Sequence, residues 1–235
     1  MERSLHGVTL ALVRAAFPVG CAACAAMLSA DAALPLCAAC DDALVDVGEP
    51  FCLDCARAGG EPRRCVRATH LRLAAAFVFD EAVRTLVHAF KFGDAPELAP
   101  PLVARAMRTP GFAHAPRPNL VVPVPLHPVR RRERGYDQAA RLARAFASHA
   151  GAPDVNALAR VRATRQQARL GARERAANLA GAFRVTQPAL VRGKTVALVD
   201  DVATTGATLQ AAALVLRAAG ARRVTAWTIA FEPLE

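Results

Sequence analysis

Two adjacent carboxylates directly follow a short apolar segment late in the sequence. Asp200 and Asp201 come after Thr195–Val199, which has the composition of a buried strand, and an apolar helix is expected to begin at Thr205. In an open α/β sheet, ligands bind at the carboxyl ends of the strands. A helix N-terminus supplies free N–H groups and a positive dipole end, which suit a phosphate. The small and hydroxylated residues of the connecting loop are Thr204, Thr205, Gly206, Ala207 and Thr208.

The acidic pair indicates what accompanies the phosphate. Carboxylates would repel a phosphate alone, but they accept hydrogen bonds from sugar hydroxyls and bind Mg²⁺ held by a pyrophosphate. A ribose phosphate is compatible with both the acidic pair and the hydroxylated loop. The alternative is an ordinary helix with an aspartate N-cap. That alternative explains one of Asp200 and Asp201, but not both of them followed by Thr-Thr-Gly-Ala-Thr.

All seven cysteines lie in the first 65 residues, and six of them form CxxC pairs. A CxxC turn places two thiolates on one side of a knuckle, and two knuckles complete a tetrahedral Zn²⁺ site with no open position for chemistry. We therefore predict structural zinc. Disulfides and redox chemistry are disfavoured without a secretory signal or a thioredoxin-like helix start. The first predicted site uses Cys21, Cys24, Cys37 and Cys40, and the second uses Cys52, Cys55 and Cys65.

The second cysteine set lacks one ligand. Ala68 occupies the position expected for the CxxC partner of Cys65. His70 is close enough in sequence to be considered as the fourth ligand. The set therefore either binds a second metal ion or is a degraded site without one, and the sequence leaves both possibilities open.

Alternating strand and helix patterns from Leu71 onward predict an α/β fold with a mostly parallel sheet covered by helices. We expect residues 1–68 to form an N-terminal helix and a small cysteine-rich zinc ribbon, and residues 69–235 to form the larger domain. Residues 110–118 are predicted to be a loop. The predicted strands are Leu71–Phe79, Leu120–Pro125, Ala182–Val185, Thr195–Val199 and Val224–Phe231, and the predicted helices are Val8–Gly20, Asp80–Phe92, Pro96–Met107, Asp137–Ala150 and Thr205–Gly220.

The net charge of +10 is confined to one part of the chain. Residues 130–192 contain 14 arginines and four acidic residues, so the rest of the chain is neutral. This confinement indicates an anionic partner, either phosphates or a nucleic acid, although an arginine-rich composition contributes. No apolar run approaches the ~18 residues of a membrane helix, and Arg14 interrupts the first one. We expect a cytoplasmic protein without membrane insertion.

Several motifs resemble the ComF family, also called the ComFC or GntX family. The segment Val199–Thr208 resembles the PRPP-binding motif of type I phosphoribosyltransferases, where PRPP is 5-phosphoribosyl-1-pyrophosphate. Residues 122–139 resemble the family text VPVPLH…R…RGFNQA, and the cysteine ribbon is the family's other hallmark. Three departures are Ala68 for a last cysteine, Asp137 for an asparagine and Ala203 for a larger residue. Further matches are Ala89–Gly93, Arg162–Gln167, Arg173, Arg175, Asn178 and Gly181–Phe183.

The resemblance implies a fold of the type I phosphoribosyltransferase kind, preceded by a double zinc ribbon, and a site for PRPP with Mg²⁺. Asp200 and Asp201 would bind the ribose hydroxyls, and residues 204–208 would cradle the 5′-phosphate. The segment Arg162–Arg175 resembles the mobile loop that closes over PRPP in this superfamily. The implied further phosphate contacts are Lys91, Arg134 and Arg165.

The resemblance also implies a role in competence, in which the family assists DNA uptake and the handling of incoming single-stranded DNA. The arginine-rich segment 130–192 suits such a ligand, although it contains few aromatic rings for stacking. The alternatives are an active phosphoribosyltransferase of nucleotide metabolism or salvage, with an unidentified acceptor, and a non-catalytic PRPP sensor. The sequence leaves catalysis, the acceptor, the oligomeric state and the DNA affinity open.

Overall fold

The structure of the chain is a computed structural model that describes residues 20–28, 32, 34–53, 70–92, 95–126, 132, 135–162, 179 and 181–233. From residue 72 onward, one or more helices separate each strand of the main sheet from the next in sequence. The strands are β1 (Phe51–Cys52), β2 (Arg72–Val78), β3 (Leu120–Pro123), β4 (Leu158–Arg160), β5 (Phe183–Val185), β6 (Thr195–Ala203) and β7 (Arg223–Phe231). The helices are α1 (Ala38–Asp42), α2 (Glu81–Phe92), α3 (Ala99–Ala106), α4 (Pro110–Ala113), α5 (Gln138–Ala150), α6 (Pro188–Val191) and α7 (Ala207–Ala218).

Five strands form one sheet in the order β1-β2-β7-β6-β3. Strands β2, β7, β6 and β3 run parallel, whereas β1 pairs with β2 in the antiparallel direction. Strands β6 and β7 are buried along most of their length, because helices and connecting segments cover both faces of the sheet. Strands β4 and β5 form a separate antiparallel pair. The predicted α/β fold with a mostly parallel sheet is confirmed.

Two apolar cores cover the two faces of the sheet. One core includes Val199 of β6 and the buried sides of α2, α3 and α5, and the other includes Leu198 and the buried side of α7. This division follows from the alternation of side chains along a strand. In the first core, the ring of Trp227 contacts Phe112 and Phe146 with centroid distances of 5.4 and 5.3 Å. The helices that carry site residues are therefore anchored on a packed sheet.

The predicted loop at residues 110–118 contains the short helix α4. Pro110 occupies its first turn, where a missing N–H costs nothing. Gly111 lies against the sheet so closely that an added Cβ would overlap the carbonyl oxygen of Ala75. The prediction of a loop was wrong here because a one-turn helix has no apolar period to detect, and its position depends on this tertiary contact.

Strand β6 extends four residues beyond its predicted end at Val199. Asp200 and Asp201 are consequently strand residues and do not belong to the loop that follows, and Asp200 pairs with Thr228 of β7. Strand β4 is not predicted from the sequence because three residues are too few to show a two-residue alternation.

The described part of the cysteine-rich segment packs against the larger sheet. Leu34 and Leu44 belong to the same core as α2 and α3. The Arg105 side chain of α3 lies 3.2 Å from an oxygen of Asp41 and 3.5 Å from an oxygen of Asp46. Strand β1 adds to this connection by pairing with β2. The segment and the sheet therefore share apolar and ionic contacts.

Two predictions about the organisation of the chain fall on residues outside the described ranges. The predicted N-terminal helix Val8–Gly20 lies almost entirely within residues 1–19, and the predicted boundary after residue 68 lies within residues 54–69. Both stay predictions. Among the helices that the structure describes, none has the length and apolar character needed to cross a lipid bilayer.

Candidate ribose-phosphate site and cysteine cluster

The paired aspartates lie at the carboxyl end of β6. Asp200 is in register with Thr228 of β7, and its Oδ1 accepts a hydrogen bond of 2.9 Å from the N–H of Asp201. By strand alternation, Asp200 lies on the face that α7 covers, and Asp201 lies on the face that α2 covers. The two carboxyl groups therefore flank the end of the strand from opposite sides.

Lys91 in the last turn of α2 reaches Asp201. Its Nζ lies 2.9 Å from Asp201 Oδ2, and the two side chains are only 20% and 14% exposed. At this exposure the ion pair is screened less than a surface pair would be. The structure thus places Lys91, a predicted phosphate-binding residue, beside Asp201, a predicted ribose-binding residue.

A third carboxylate, Asp137, belongs to the same end of the sheet. It is the N-cap of α5, with its Oδ1 accepting from the N–H of Ala140 at 3.0 Å and its Oδ2 accepting from the N–H of Leu126 at 3.3 Å. Asp137 thereby fixes the start of α5 to the segment that follows β3. In the sequence, Asp137 is both a departure from a family motif and the first residue of a predicted helix, and the structure shows it as the cap of that helix.

Burial raises the pKa of Asp200 from 3.8 to about 7. The negative charges of Asp201 and Asp137 also raise it, whereas the N–H of Asp201 and the positive charge of Lys91 lower it. A carboxyl group with such a pKa exchanges a proton near neutrality. The end of β6 therefore carries a group that ionises fully when a cation or a set of hydroxyl donors arrives.

This pKa predicts a pH dependence of stability. Because the folded pKa of Asp200 lies above the unfolded value of 3.8, the folded state keeps a proton that the unfolded state releases. The contribution of Asp200 to the free energy of unfolding therefore falls as the pH rises from about 4 to about 7. Urea unfolding at several pH values should show this fall in the wild-type protein relative to Asp200→Asn. Parallel pH profiles for the two proteins would contradict it.

The loop after β6 turns sharply at Gly206 into α7. Gly206 has a φ of 71° and caps the helix, and the N–H of Gln210 donates to its carbonyl oxygen at 2.8 Å. An added Cβ would lie 3.0 Å from Cδ1 of Leu53, which follows β1. Thr204 is exposed, and Thr205 and Thr208 are half-buried. The start of α7 thus offers backbone N–H groups and hydroxyls beside the aspartates.

A cleft of about 690 Å³ opens at the carboxyl end of β3. Pro123, Leu126, Arg132, Asp137 and Asn156 are among the residues that line it. Asp137 belongs both to this cleft and to the carboxylate group around Asp200. The cleft therefore adjoins the acidic pair and provides room for the part of a ligand that extends beyond it.

Four cysteine sulfurs of the N-terminal segment lie together. The Sγ atoms of Cys21, Cys24, Cys37 and Cys40 are all within 4.8 Å of one another, and those of Cys24 and Cys37 are 3.7 Å apart. A zinc ion with four sulfurs at about 2.3 Å has sulfur–sulfur distances of about 3.8 Å. The four thiols therefore match the donor set and the dimensions of a tetrahedral metal site such as zinc.

Backbone geometry builds this cluster from two turns. The carbonyl oxygen of Cys21 accepts from the N–H of Ala25 at 2.8 Å, and Ala25 has a φ of 59°. Cys37 is the N-cap of α1, which carries Cys40. The N–H of Ala22 donates to the carbonyl oxygen of Pro35 at 2.8 Å and joins the two turns. The CxxC spacing thus produces the predicted pair of knuckles.

The thiols of the cluster influence one another. Burial raises the pKa of Cys21, but N–H groups of Cys37 and Cys24 outweigh it, and the pKa falls to about 6. The neighbouring thiols of Cys24 and Cys37 raise the pKa of Cys40 to about 12. A thiolate at one cysteine therefore disfavours ionisation of the neighbouring thiols. A bound divalent cation would offset the repulsion between the negative charges.

The second predicted cysteine site is described only in part. Cys52 lies half-buried in β1, opposite Arg72 of β2 and therefore near His70. His70 has a φ of 39°, and its buried Nδ1 has no hydrogen-bond partner in the described structure, which suits a metal ligand. Predicted site residues that lie outside the described ranges are Cys55, Cys65, Arg134 and Arg165, together with Ala68 and most of the Arg162–Arg175 segment.

Comparisons with known proteins agree with this arrangement. A family described as "Phosphoribosyl transferase domain" matches residues 133–233. The "DNA utilization protein YhgH" of Salmonella typhi is 35% identical over 193 residues, which are 76% of this chain and 83% of that protein. The "Competence protein F" of Haemophilus influenzae is 36% identical over 118 residues, which are 48% of this chain and 50% of that protein.

A solved structure gives a weaker likeness. The glutamine PRPP amidotransferase from B. subtilis, in complex with ADP and GMP, superposes with a TM-score of 0.36 at 21% identity. The superposition covers 61% of this chain and 26% of that chain. A likeness of this size supports no inference about the site.

Proposed function

The chain belongs to the ComF family, and from this premise we propose that it binds PRPP with Mg²⁺ and assists the use of incoming single-stranded DNA. The names of its relatives refer to DNA utilization and to competence. The chain is a phosphoribosyltransferase-like protein by its family match. The cytoplasm, where incoming DNA and PRPP meet, is the location that we propose for it.

One observation carries the PRPP proposal: two carboxylates near the carboxyl end of β6 are followed, after a short loop, by a helix start that offers backbone N–H groups. Asp200 and Asp201 would accept hydrogen bonds from the ribose hydroxyls, and residues 204–208 would donate to the 5′-phosphate. The negative charge of the phosphates would be neutralised by Lys91, Arg134 and Arg165. Mg²⁺ would arrive with the pyrophosphate.

For zinc, we propose that the ion bound by Cys21, Cys24, Cys37 and Cys40 has a structural role. Four thiolates fill a tetrahedral shell and leave no position for a reacting group. A second ion would use Cys52, Cys55 and Cys65, with His70 as the fourth ligand. Both ions would hold a segment whose leucines pack on the core of the larger domain.

An alternative is an active phosphoribosyltransferase. In that reaction the bond from C1 of PRPP to pyrophosphate breaks, a nucleophilic atom of the acceptor bonds to C1, and pyrophosphate leaves. The cleft beside Asp137 favours this alternative because it has room for an acceptor. A non-catalytic PRPP sensor would bind the same ligand without an acceptor.

Pyrophosphate release separates these possibilities. Purified protein would be incubated with PRPP and Mg²⁺, with and without a panel of nucleobases and amines, beside Asp200→Asn/Asp201→Asn. Release that requires one acceptor and the intact aspartates would establish the enzyme. Binding of PRPP without release supports the DNA-associated or sensing role, and the absence of both binding and release would overturn the PRPP proposal.

The Gly206→Ala variant is expected to weaken PRPP binding. A left-handed φ costs a non-glycine residue roughly 1–2 kcal/mol, and the new Cβ would press on Leu53, so the loop has to rearrange. Gly151→Ala is the matched control, because its φ is 65° and nothing lies within 4 Å of an added Cβ. Calorimetry should show weaker PRPP binding only for Gly206→Ala, although urea unfolding shows a loss of stability in both. Equal PRPP affinity in the two variants would argue against the loop as the phosphate site.

A further inference from the structure

We propose that the end of the sheet at which its parallel strands begin is a second anion-binding surface. This surface binds the phosphate backbone of a polynucleotide. Its side chains come from three segments that are distant in sequence, and all of them are exposed. This inference deepens the proposed DNA role and rests on it, but it is independent of the ribose-phosphate site. The surface, called the basic edge below, comprises Arg117, Arg192, Lys194, Arg222 and Arg223.

Backbone hydrogen bonds bring these segments together. The carbonyl oxygen of Lys194 accepts from the N–H of Arg222 at 2.9 Å and from that of Arg223 at 3.3 Å. The N–H of Asn119, two residues after Arg117, donates to the carbonyl oxygen of Thr195 at 2.8 Å. The entrances to β3, β6 and β7 therefore lie side by side, and their cationic side chains form one surface.

No acidic residue interrupts the segments that build the basic edge. Residues 98–132, 175–199 and 202–231 contain neither Asp nor Glu. Asp154, which is bridged to Val121 of β3, has Arg144 at 3.9 Å. The cations of the basic edge consequently add to one another, and the local positive potential attracts a polyanion.

The parallel sheet separates this surface from the acidic pair. Lys194 and Asp201 are seven residues apart along an extended strand, which corresponds to about 23 Å at ~3.3 Å per residue. Screening at physiological ionic strength acts over ~8 Å. A ribose phosphate at the carboxyl end and a polynucleotide at the amino end should therefore bind without competing.

The basic edge has charge but no stacking platform. Its immediate segments, residues 115–119, 190–195 and 219–223, contain no Phe, Tyr or Trp. Single strands gain affinity from stacking on aromatic rings, whereas a duplex presents the denser phosphate charge. The basic edge should therefore bind duplex DNA at least as tightly as single-stranded DNA, and without regard to sequence.

The test measures fluorescence anisotropy of labelled single-stranded and duplex oligonucleotides with the full chain over a series of salt concentrations. The variant is Lys194→Gln/Arg222→Gln/Arg223→Gln. For duplex DNA, each lost phosphate contact reduces the magnitude of the slope of log affinity against log salt by about 0.9. The slope of the triple variant should therefore be smaller in magnitude by about 2.7. The matched control is Arg84→Gln/Arg108→Gln/Arg141→Gln, which removes three exposed arginines from other surfaces.

Two further measurements keep the result interpretable. The charge-preserving variant Arg192→Lys/Arg222→Lys/Arg223→Lys should retain the wild-type slope, and PRPP calorimetry on the Gln variant should be unchanged. The proposal that the basic edge binds DNA is supported if the salt dependence of affinity becomes weaker in the Gln variant alone. Saturating PRPP should leave DNA binding unchanged. The proposal is overturned by an unchanged slope in the Gln variant, by an equal loss in the matched control, or by the absence of DNA binding at low salt.

Discussion

Cys37→Ser is expected to release the metal from the N-terminal cluster and to unfold the segment around it. Serine keeps the approximate size of the side chain but is a poor zinc ligand, so the metal loses one of its four ligands. Structural zinc in small domains contributes on the order of 10 kcal/mol to folding at neutral pH. Leu34 and Leu44 pack on the core of the larger domain, so loss of the knuckles also exposes apolar surface there.

Metal content and thermal unfolding measure this effect together. The wild-type protein should contain zinc and unfold at a higher temperature than Cys37→Ser, which should contain less zinc by one equivalent. Ala39→Ser is the control, because it adds a hydroxyl at an exposed position of the same helix and removes no ligand. Unchanged zinc content in Cys37→Ser would show that this cluster is not the metal site.

Lys91→Met is expected to destabilise the protein more at pH 8 than at pH 6. Removing one partner of a mostly buried ion pair costs on the order of 3 kcal/mol, because the other charge stays desolvated. Asp201 would lose its partner at 2.9 Å, and Asp200 would lose the cation that lowers its pKa. Because the folded-state pKa of Asp200 would then rise further above 3.8, the loss of stability grows as the pH increases and Asp200 ionises.

Urea unfolding at both pH values measures the effect of Lys91→Met. Arg84→Met removes an exposed cation from the same helix and should have a small, pH-independent effect. Adding Asp201→Asn to Lys91→Met should restore part of the lost stability, because the unpaired charge is then absent. An equal loss at pH 6 and pH 8, or no rescue by Asp201→Asn, would contradict this account of the ion pair.

The sequence predicted the parts of the structure that depend on local patterns. Strand β6 and helix α7 were predictable because an apolar run, two acids and a glycine-containing loop follow one another directly. The cysteine cluster was predictable because its spacing defines two knuckles. The α/β fold followed from the alternation of strands and helices.

Other features depend on contacts between distant segments. The pairing of Lys91 with Asp201 arises because α2 ends beside β6, and no spacing in the sequence indicates it. The electrostatic effect of Asp137 on Asp200 likewise requires the three-dimensional arrangement. The net charge along the sequence indicates the arginine-rich segment, but it does not show that Lys194 and Asp201 lie at opposite ends of the same strand region. The basic edge is recognised only from the structure, in which the starts of β3, β6 and β7 lie side by side.

We propose that the end of β6 binds a ribose phosphate through Asp200 and Asp201. Calorimetric titration of PRPP with Mg²⁺ into the wild-type protein and into Asp200→Asn/Asp201→Asn tests it most directly. The amides keep the shape of the site and remove a repulsion, so the variant should fold. We predict saturable binding to the wild-type protein and none to the variant. Binding of equal strength to both proteins, or no binding to the wild-type protein, would contradict the claim.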